Sequence, residues 1–422
     1  MTYYRIEDIC SFAKGASVPR DRMYNKGDYQ YLHYGDLYKG HELYIDIEKP
    51  QKGIPFISAD EKLRDNQFVD DGDIIYILTS ETIEDLGKAL YLSNPNHRVV
   101  VAGTETTIMR VVQDDIVESA WLNYLLQTPR FKKTIRQYVT GMKVFRVHPR
   151  DIGQITVDVP LLEKQQKTVS ILDAIHKKIR INQQINDYLA ELRNALVKER
   201  ISNALEQGIG NWRVVPLKNV AQIQSGYSYK SAELVAESSI GMLGIKSFNR
   251  NGSFRSDGFK PLKPEKAKPA QYVALGEIVV AHTDLTQNAD IIGRAIQVID
   301  SGGYDQMVAS LDLVKVTSSD DSISNEFLAA LLGTEDFHNH CLGYVNGTTV
   351  LHLGKKALPE YQLKIPEDMT IMSELDDAFK SIAQQQAVLI RESRNLERIR
   401  DTLLPKLMSG EIDASEVESL CS

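Results

Sequence analysis

An internal repeat constrains the fold of this 422-residue chain more than any other feature. Gly141-Met142-Lys143-Val144 leads through Val147-His148-Pro149 to Pro160, and Gly347-Thr348-Thr349-Val350 leads through Leu351-His352-Leu353 to Pro366. The Gly-to-Pro interval is 19 residues in both copies (160 − 141 and 366 − 347). Four earlier landmarks recur in the same order, at offsets of 204 to 211: Tyr4-Arg5-Ile6 with Trp212-Arg213-Val214, Ile9 to Gly15 with Val220 to Gly226, Gly72 to Ile75 with Gly276 to Val279, and Gly87-Lys88-Ala89 with Gly293-Arg294-Ala295. The series predicts two similar globules that do one task twice.

Composition and charge limit the class of protein. The chain is 42% hydrophobic and 25% charged, which is ordinary for a folded protein. It has no apolar run of about 18 residues, so the sequence predicts no membrane span. Three cysteines without paired spacing and an N-terminus without a signal-peptide pattern predict a reducing, cytoplasmic location. The net charge of −8 (49 − 57) is unusual for a protein that binds DNA alone, since phosphate contacts favour basic surfaces.

Local patterns predict a mixed α+β architecture. Short β-branched runs predict strands at 73–78, 98–102, 107–112, 277–281 and 295–299. Helices are expected between Ala120 and Tyr138, broken near Pro129, and from Asn325 to Leu332.

Each globule is followed by a long helical stretch. Residues 171–206 contain no Gly or Pro, and Gly208 and Gly210 are expected to end that helix. In the second stretch, leucine or isoleucine recurs every seven residues, and Pro405 and Gly410 are expected to end it. The two stretches predict helices that pair with each other through a heptad seam, in which Asn182 is a polar insertion; two separate surface helices are the alternative. The predicted seam residues are Ile171, Ile175, Ile185, Leu189, Leu192, Leu196, Leu375, Ile382, Leu389, Leu396 and Leu403.

Catalytic and metal-binding motifs are missing from the sequence. It contains no phosphate-binding P-loop, no dinucleotide fingerprint, and no zinc-protease or serine-hydrolase motif. The run His338-Asn339-His340-Cys341 offers close ligands but no fourth at a suitable spacing, so a helix end or turn is the better interpretation. We therefore expect no catalytic residue and no metal site.

Three segments resemble the specificity subunit of type I restriction-modification systems, and the resemblance extends over the full chain. The strongest is the string from Leu403-Leu404-Pro405-Lys406 to Glu411-Ile412. The others are Val159-Pro160-Leu161-Leu162-Glu163-Lys164-Gln165-Gln166 with Val169 to Asp173, and Trp212-Arg213 to Ser225-Gly226. The start of the second helix departs from the pattern, because Pro366-Glu367-Asp368-Met369 lacks the Leu-x-x-Gln-Gln run.

The resemblance implies an α+β fold with two pseudo-repeated target-recognition domains, separated by two long helices that form an antiparallel coiled coil. The implied domains are 1–160, 161–208, 209–366 and 367–422. Each recognition domain would recognise one half of a bipartite, asymmetric sequence in double-stranded DNA, and the helices would set the spacer. The chain would bind no cofactor and catalyse nothing. Its partners would be modification subunits, which methylate adenine with S-adenosylmethionine, and restriction subunits, which use ATP and Mg²⁺.

Candidate DNA contacts are basic and polar residues in loops of both globules, because such side chains bond base edges and phosphates. In the first globule they are Arg20, Arg22, Lys26, Lys88, Lys143 and Arg146. In the second they are Lys230, Lys246, Asn249, Arg250, Arg255, Arg294, Thr348 and Thr349. Lys88 and Arg294 are included because each follows a repeated glycine, which is a weak signal for a phosphate-binding turn.

Three alternatives stay open at this level. A type IIB-like system, in which one fused partner both cuts and methylates, would use a chain of the same appearance. A self-contained nuclease or methyltransferase would need a catalytic motif. If the chain were a coiled-coil scaffold unrelated to DNA, deleting one heptad from a helix would have no effect on any DNA sequence.

Overall fold

Two structural units share the long helices of this chain. The first contains residues 1–177 and 397–422, and the second contains residues 178–396. The computed structural model describes residues 2–38, 40–50, 52–208, 210–249, 252–284 and 289–421. Each long helix contributes to both units, so the units divide inside the helices. The domain limits at 160, 208 and 366 stay a prediction.

Before the first long helix, the described residues of the first unit form two small sheets, two short ladders and five short α-helices. Its strands are β1 (Thr2–Arg5), β2 (Cys10–Lys14), β3 (Tyr29–Leu32), β4 (Tyr44–Asp46), β5 (Phe56–Ile57), β6 (Phe68–Val69), β7 (Ile74–Ile77), β8 (Thr79–Ser80), β9 (Lys88–Ser93), β10 (Val100–Ala102), β11 (Thr107–Val111), β12 (Phe145–Arg146) and β13 (Thr156–Val159). Its short helices are α1 (Ile6–Ile9), α2 (Tyr34–Leu37), α3 (Ser119–Gln127), α4 (Pro129–Ile135) and α5 (Pro149–Gly153). The strand orders are β2-β11-β7-β9-β4, β5-β3-β10-β6, β1-β13 and β12-β8.

The central strand β7 shows why this unit is layered. All four of its residues are buried, so it has no face toward water. Ile74 and Tyr76 belong to the core that includes α3 and α4, whereas Ile75 and Ile77 belong to the core between the two sheets. Side chains of a strand point alternately to opposite faces, so one run of apolar residues supplies two cores.

The second unit has a closely similar element list. Its strands are β14 (Trp212–Pro216), β15 (Ala221–Ser225), β16 (Ile240–Leu243), β17 (Lys260–Pro261), β18 (Tyr272–Val273), β19 (Ile278–Ala281), β20 (Thr283–Asp284), β21 (Ala295–Gln297), β22 (Gln306–Ala309), β23 (Leu313–Ser318), β24 (Val345–Asn346), β25 (Leu351–Leu353) and β26 (Gln362–Pro366). The strand orders are β15-β23-β19-β21, β17-β16-β22-β18, β14-β26 and β20-β25-β24.

Strand order and direction correspond between the two units. The order β2-β11-β7-β9 matches β15-β23-β19-β21, and β5-β3-β10-β6 matches β17-β16-β22-β18. In each unit one central pair is parallel, β3 with β10 and β16 with β22, while its flanking pairs are antiparallel. The first unit has one additional edge strand, β4. The repeated sequence landmarks therefore fall on corresponding turns and strands.

Both long stretches that follow the globules are helical, and the first long helix begins before residue 171. The helices after α5 are α6 (Leu162–Leu196), α7 (Asn203–Glu206), α8 (Asn325–Leu332), α9 (Glu335–Leu342), α10 (Ala357–Glu360), α11 (Ser373–Ser409) and α12 (Ala414–Cys421), with a wider π-helical turn at Val197–Ser202. Helix α11 ends at Ser409, directly before Gly410 as predicted, whereas Pro405 lies inside the helix and does not end it. A proline removes one backbone donor but does not oblige a helix to stop. None of the helices among the described residues is long and apolar enough to cross a membrane.

The predicted seam residues of α11 are buried or half-buried, whereas those of α6 differ in their exposure. On α11, Leu375, Ile382 and Leu389 are buried, and Leu396 and Leu403 are half-buried. On α6, the partly buried members of the predicted seam are Ile171, Ile175, Leu189 and Leu196. Ile185 and Leu192, however, are 36% and 47% exposed.

The inward face of α6 explains this difference. Leu172, Ile179 and Asn182 are buried there, and Asn186 and Arg193 continue the same seven-residue spacing. Polar residues occupy part of this face, so a search for apolar heptads alone selects the wrong register. In the second unit α6 and α11 run antiparallel, since Asn182 bonds Glu392 whereas Asn186, further along α6, accepts from the earlier Gln386.

Near its first turns, each long helix is attached by a polar residue to the unit whose strands precede it in the sequence. In the first unit, the Gln165 amide donates to the carbonyls of Ile116 (2.7 Å) and Pro160 (2.9 Å), and accepts the Glu118 N–H (2.9 Å). In the second unit, Asp376 accepts the Ser324 hydroxyl. The second helix therefore has a different anchor where its sequence lacks the Gln-Gln pair.

Candidate nucleic-acid interface

The first candidate surface begins with the loop after β2. The Arg20 guanidinium lies 3.4 Å from the Asp36 carboxylate and 3.2 Å from His33 Nδ1. His33 Nδ1 also accepts the Gly35 N–H at 3.1 Å, so this nitrogen is an acceptor and the ring is neutral. Burial and the nearby Arg20 charge lower the pKa of His33, in agreement with a neutral ring. Arg20 is thus oriented while its side chain stays largely exposed.

Two further predicted residues of this loop are also exposed. The Arg22 guanidinium lies 3.5 Å from the Glu61 carboxylate. Lys26 is exposed on the same loop. A surface ion pair at such a distance contributes little to stability, so Arg22 is available to exchange Glu61 for a phosphate.

A hairpin closed by the backbone bonds between Thr140 and Arg146 supplies the second part of the first surface. Strand β12 pairs with β8, which places Arg146 opposite Thr79. Arg146 lies 3.7 Å from the Glu105 carboxylate, which also accepts the Thr79 hydroxyl at 2.7 Å. Lys143 is exposed near the tip, beside Met142, whose side chain is 94% exposed. A basic hairpin with a free tip has the shape and charge to enter a DNA groove.

The turn at 103–105 brings the loop and the hairpin together. The Thr104 carbonyl accepts the Tyr34 N–H at 3.3 Å, next to the His33 ring that holds Arg20. The adjacent Glu105 holds Arg146. The structure therefore collects two predicted sets, separated by more than 100 residues in sequence, along one rim of the first unit.

The second unit repeats this hairpin with different side chains. Strand β25 pairs with β20, which places His352 opposite Thr283. The Thr283 hydroxyl donates to Asp312 at 2.8 Å, as the Thr79 hydroxyl does to Glu105. Thr348 and Thr349 are exposed at the tip. The second surface is thus less basic than the first at the same place.

The strand register corrects the alignment of the two repeats. The sequence pairs His148 with His352, whereas His148 caps α5 by accepting the Arg150 N–H. The residue that corresponds to His352 is Arg146, because each faces the matching threonine. Sequence reasoning missed His352 and the two threonine–carboxylate pairs. The constant offset of 206 from Gly141 to Gly347 was the signal that could have found His352.

The remaining predicted residues of the second unit lie on separate turns. Lys246 is exposed after β16, and Arg255 pairs with Asp257. Asn249 closes a tight turn by donating its side-chain amide to Ser253 at 2.7 Å. Lys230 lies 3.4 Å from Glu265. Arg250 lies outside the described residues.

Lys88 and Arg294 bond groups inside their own units. Lys88 Nζ donates to the carbonyls of Leu37 (3.1 Å) and Tyr38 (2.8 Å), and burial lowers its pKa to about 8. Arg294 forms an ion pair with Glu335 on α9. These cations are bonded inside their units, and their DNA contacts stay a prediction.

The repeated glycines before these cations serve close packing. A Cβ on Gly87 would lie 2.3 Å from Ile135 Cδ1, and one on Gly293 would lie 2.4 Å from Cys341 Cβ. Both are therefore positions where a helix packs tightly on a turn. In the neighbouring run, His340 bonds the Ala357 carbonyl at 2.8 Å and Cys341 is buried. Over the part of the chain that the structure describes, no three His, Cys, Asp or Glu side chains form a group that could hold a metal ion.

Comparisons with known proteins agree with these observations. Residues 1–191 match the family described as type I restriction modification DNA specificity domain. The chain is 23% identical to the type I restriction enzyme MjaVIII specificity subunit of Methanocaldococcus jannaschii, across 98% of this chain and 97% of that protein. It is 23% identical to the HindI specificity subunit of Haemophilus influenzae, across 81% and 86% of the two chains.

A solved structure extends the similarity to the fold. The crystal structure of the type I restriction-modification S subunit from M. genitalium aligns with a TM-score of 0.53 and 15% identity, and covers 96% of this chain and 95% of that chain. At this identity the comparison concerns the fold, and it includes both units and both long helices. Residues 1–191 thus match the type I specificity domain, and the chain is similar over most of its length to specificity subunits of type I restriction enzymes.

Proposed function

We propose that this chain is the DNA-recognition subunit of a type I restriction-modification complex, and that each unit recognises one half of a bipartite, asymmetric target. The observation that carries the proposal is the recurrence of one hairpin in both units, held by a threonine–carboxylate pair at the same place. The hairpin and its threonine–carboxylate pair are repeated in both units, while the exposed side chains at the hairpin tips differ. Two similar hairpins with different side chains at their tips are compatible with two half-sites of different sequence.

We further propose that the two recognition domains are pseudo-repeats, that α6 and α11 form an antiparallel coiled coil, and that this pair sets the gap between half-sites. A helix rises about 1.5 Å per residue and DNA about 3.4 Å per base pair, so one heptad corresponds to roughly three base pairs. The seam on α11 and the antiparallel contacts in the second unit support this role.

Chemistry in the complex would belong to the partners. We propose that modification subunits dock on the helical regions and methylate adenine with S-adenosylmethionine, and that restriction subunits use ATP and Mg²⁺ in the cytoplasm. The net charge of −8 supports shared binding, since an acidic chain needs further positive surface to hold a polyanion. A type IIB-like partner, in which both activities are fused, is the second candidate, and the neighbouring genes separate the two.

Removing one heptad from both helices tests the proposed spacer. Residues 183–189 of α6 and 385–391 of α11 would be deleted together, since the contacts of Asn182 and Asn186 place these segments side by side. Methylated adenines would then be mapped by sequencing in cells that also express the modification subunit. We expect unchanged half-sites and a gap altered by about three base pairs. An unchanged gap, or new half-sites, would contradict the proposal.

A further inference from the structure

A polar contact in the second unit ties its β-sheets to the middle of α11. Arg394 forms an ion pair with Asp300, whose side chain is almost completely buried. The Asp300 carboxylate also accepts the Gly302 N–H at 2.8 Å. Asp300 lies on the turn between β21 and β22, which belong to different sheets. The contact therefore joins the helix to the connection between the two sheets.

This contact lies far from the attachment at the start of α11. Near its start, α11 contributes Leu375 and Phe379 to the apolar core, and Asp376 bonds Ser324. Arg394 follows Asp376 by 18 residues (394 − 376), which corresponds to about 27 Å along the helix. One attachment leaves a body free to pivot about it, whereas two attachments at this separation fix its direction relative to the helix.

The same level of α11 is also bonded to α6. The buried Asn182 amide donates to Glu392 at 2.8 Å and to Ser393 at 3.3 Å. Lys178 lies 3.3 Å from the Glu392 carboxylate. Arg394 directly follows Ser393 in the sequence. Three consecutive residues of α11, 392–394, thus join this helix to α6 and to the turn between the two sheets.

We propose that the Arg394–Asp300 pair is a positioning contact that fixes the direction of the second recognition surface relative to the helices, and so holds the gap between half-sites to a single length. This rests on the proposed function of the chain. Arg394 acts through Asp300 and the turn at 300–303, and it needs no contact with DNA. Its loss leaves the surface and its half-site intact but lets the surface turn about the anchor at Asp376.

The first test is a methylation map with Arg394→Ala, compared with Arg391→Ala. Arg391 lies on the same helix and bonds only its own helix, at the Ala387 carbonyl, among the contacts of the described residues. We expect Arg394→Ala to keep both half-sites but to raise methylation at gaps one base pair longer or shorter by about tenfold, since a partly buried charged pair is a strong contact. Arg391→Ala should keep one gap. Exchanging the pair, with Arg394→Asp and Asp300→Arg together, should restore the single gap in part.

The second test needs no DNA. Hydrogen exchange of the amides at 298–304 is measured in the purified full chain, and Arg394→Ala should raise it by about tenfold while Arg391→Ala leaves it unchanged. If wild type gives a two-part motif and Arg394→Ala gives the same single gap, the positioning role is overturned, whatever the exchange shows. If wild type gives no two-part motif, the proposed function itself fails and the gap role fails with it. Faster exchange together with a broadened gap supports the proposal.

Discussion

At the scale of single residues, the repeated glycines show how one backbone requirement recurs in both units. Gly141 and Gly347 have φ of +97° and +111°, and a Cβ on either would lie about 2 Å from the carbonyl oxygen three residues later. Each therefore has to be glycine for its hairpin to close. The hairpin carries the candidate DNA contacts Lys143 and Arg146, so this backbone requirement also supports the candidate surface.

Gly141→Ala should destabilise the first unit by about 1–3 kcal/mol, because the positive φ and the close carbonyl both oppose a side chain. The free energy of unfolding in urea measures the effect. Gly53→Ala is the matched control, since a Cβ there meets nothing within 4 Å. Equal losses for the two variants would contradict the account of the hairpin.

His41 should make the chain less stable in mild acid. Burial, followed by the charges of Lys88 and Lys52, lowers the pKa of His41 to about 4. The unfolded chain, with a pKa near 6.5, then binds more protons than the folded chain between pH 4 and 6.5, so stability is lost as the pH falls through this window. The loss is on the order of 3 kcal/mol. His41→Gln should flatten the dependence of the unfolding free energy on pH in this range, and an unchanged slope would show that His41 is not its source.

Basic residues show the limit of residue-level prediction. Arg20, Lys143 and Arg146 were expected at a surface and are exposed. Lys88 has the same chemistry but bonds two buried carbonyls, and nothing in the local sequence separates these cases. Whether a lysine after a turn meets solvent or a helix end depends on the tertiary fold. The DNA contacts of the remaining residues stay a prediction.

At the scale of elements, helix α11 was predicted well because its apolar repeat is unbroken. Helix α6 was predicted with a seam that includes Ile185 and Leu192, which are exposed. Its true inner face holds Asn182, whose side-chain amide donates to Glu392, and Asn186, whose backbone carbonyl accepts from Gln386. Side chains that are polar but bonded inside a helix pair cannot be recognised from hydrophobicity alone.

The two glutamines at the start of α6 should differ sharply in effect. Gln165→Ala leaves the Glu118 N–H and the Ile116 and Pro160 carbonyls without their bonds, so we expect a loss of about 2–3 kcal/mol. Gln166→Ala removes an exposed side chain of the same size and should cost less than about 0.5 kcal/mol. Urea unfolding of both variants gives the comparison. Similar values for the two would mean that Gln165 is not the anchor.

At the scale of the whole chain, the repeat was the most productive prediction. Five ordered landmarks indicated two similar globules, and the strand orders of the two units correspond. The sequence also resembled the family to which the comparisons found similarity, because the segments around Pro160 and Pro405 are distinctive. The DNA sequence recognised could not be predicted, since the side chains at the hairpin tips differ between the units and their contacts depend on the bound DNA.

The most direct test of the central claim is a genome-wide map of methylated adenines in cells that express the cognate modification subunit, with and without this chain. The account predicts a two-part motif with a fixed gap only when the chain is present.

Lys143→Ala with Arg146→Ala should relax or abolish one half of that motif, whereas Thr348→Ala with Thr349→Ala should affect only the other half. Lys133→Ala, at an exposed position on α4, is the control. A continuous motif, or variants in one unit that change both halves, would contradict recognition of one half-site by each unit.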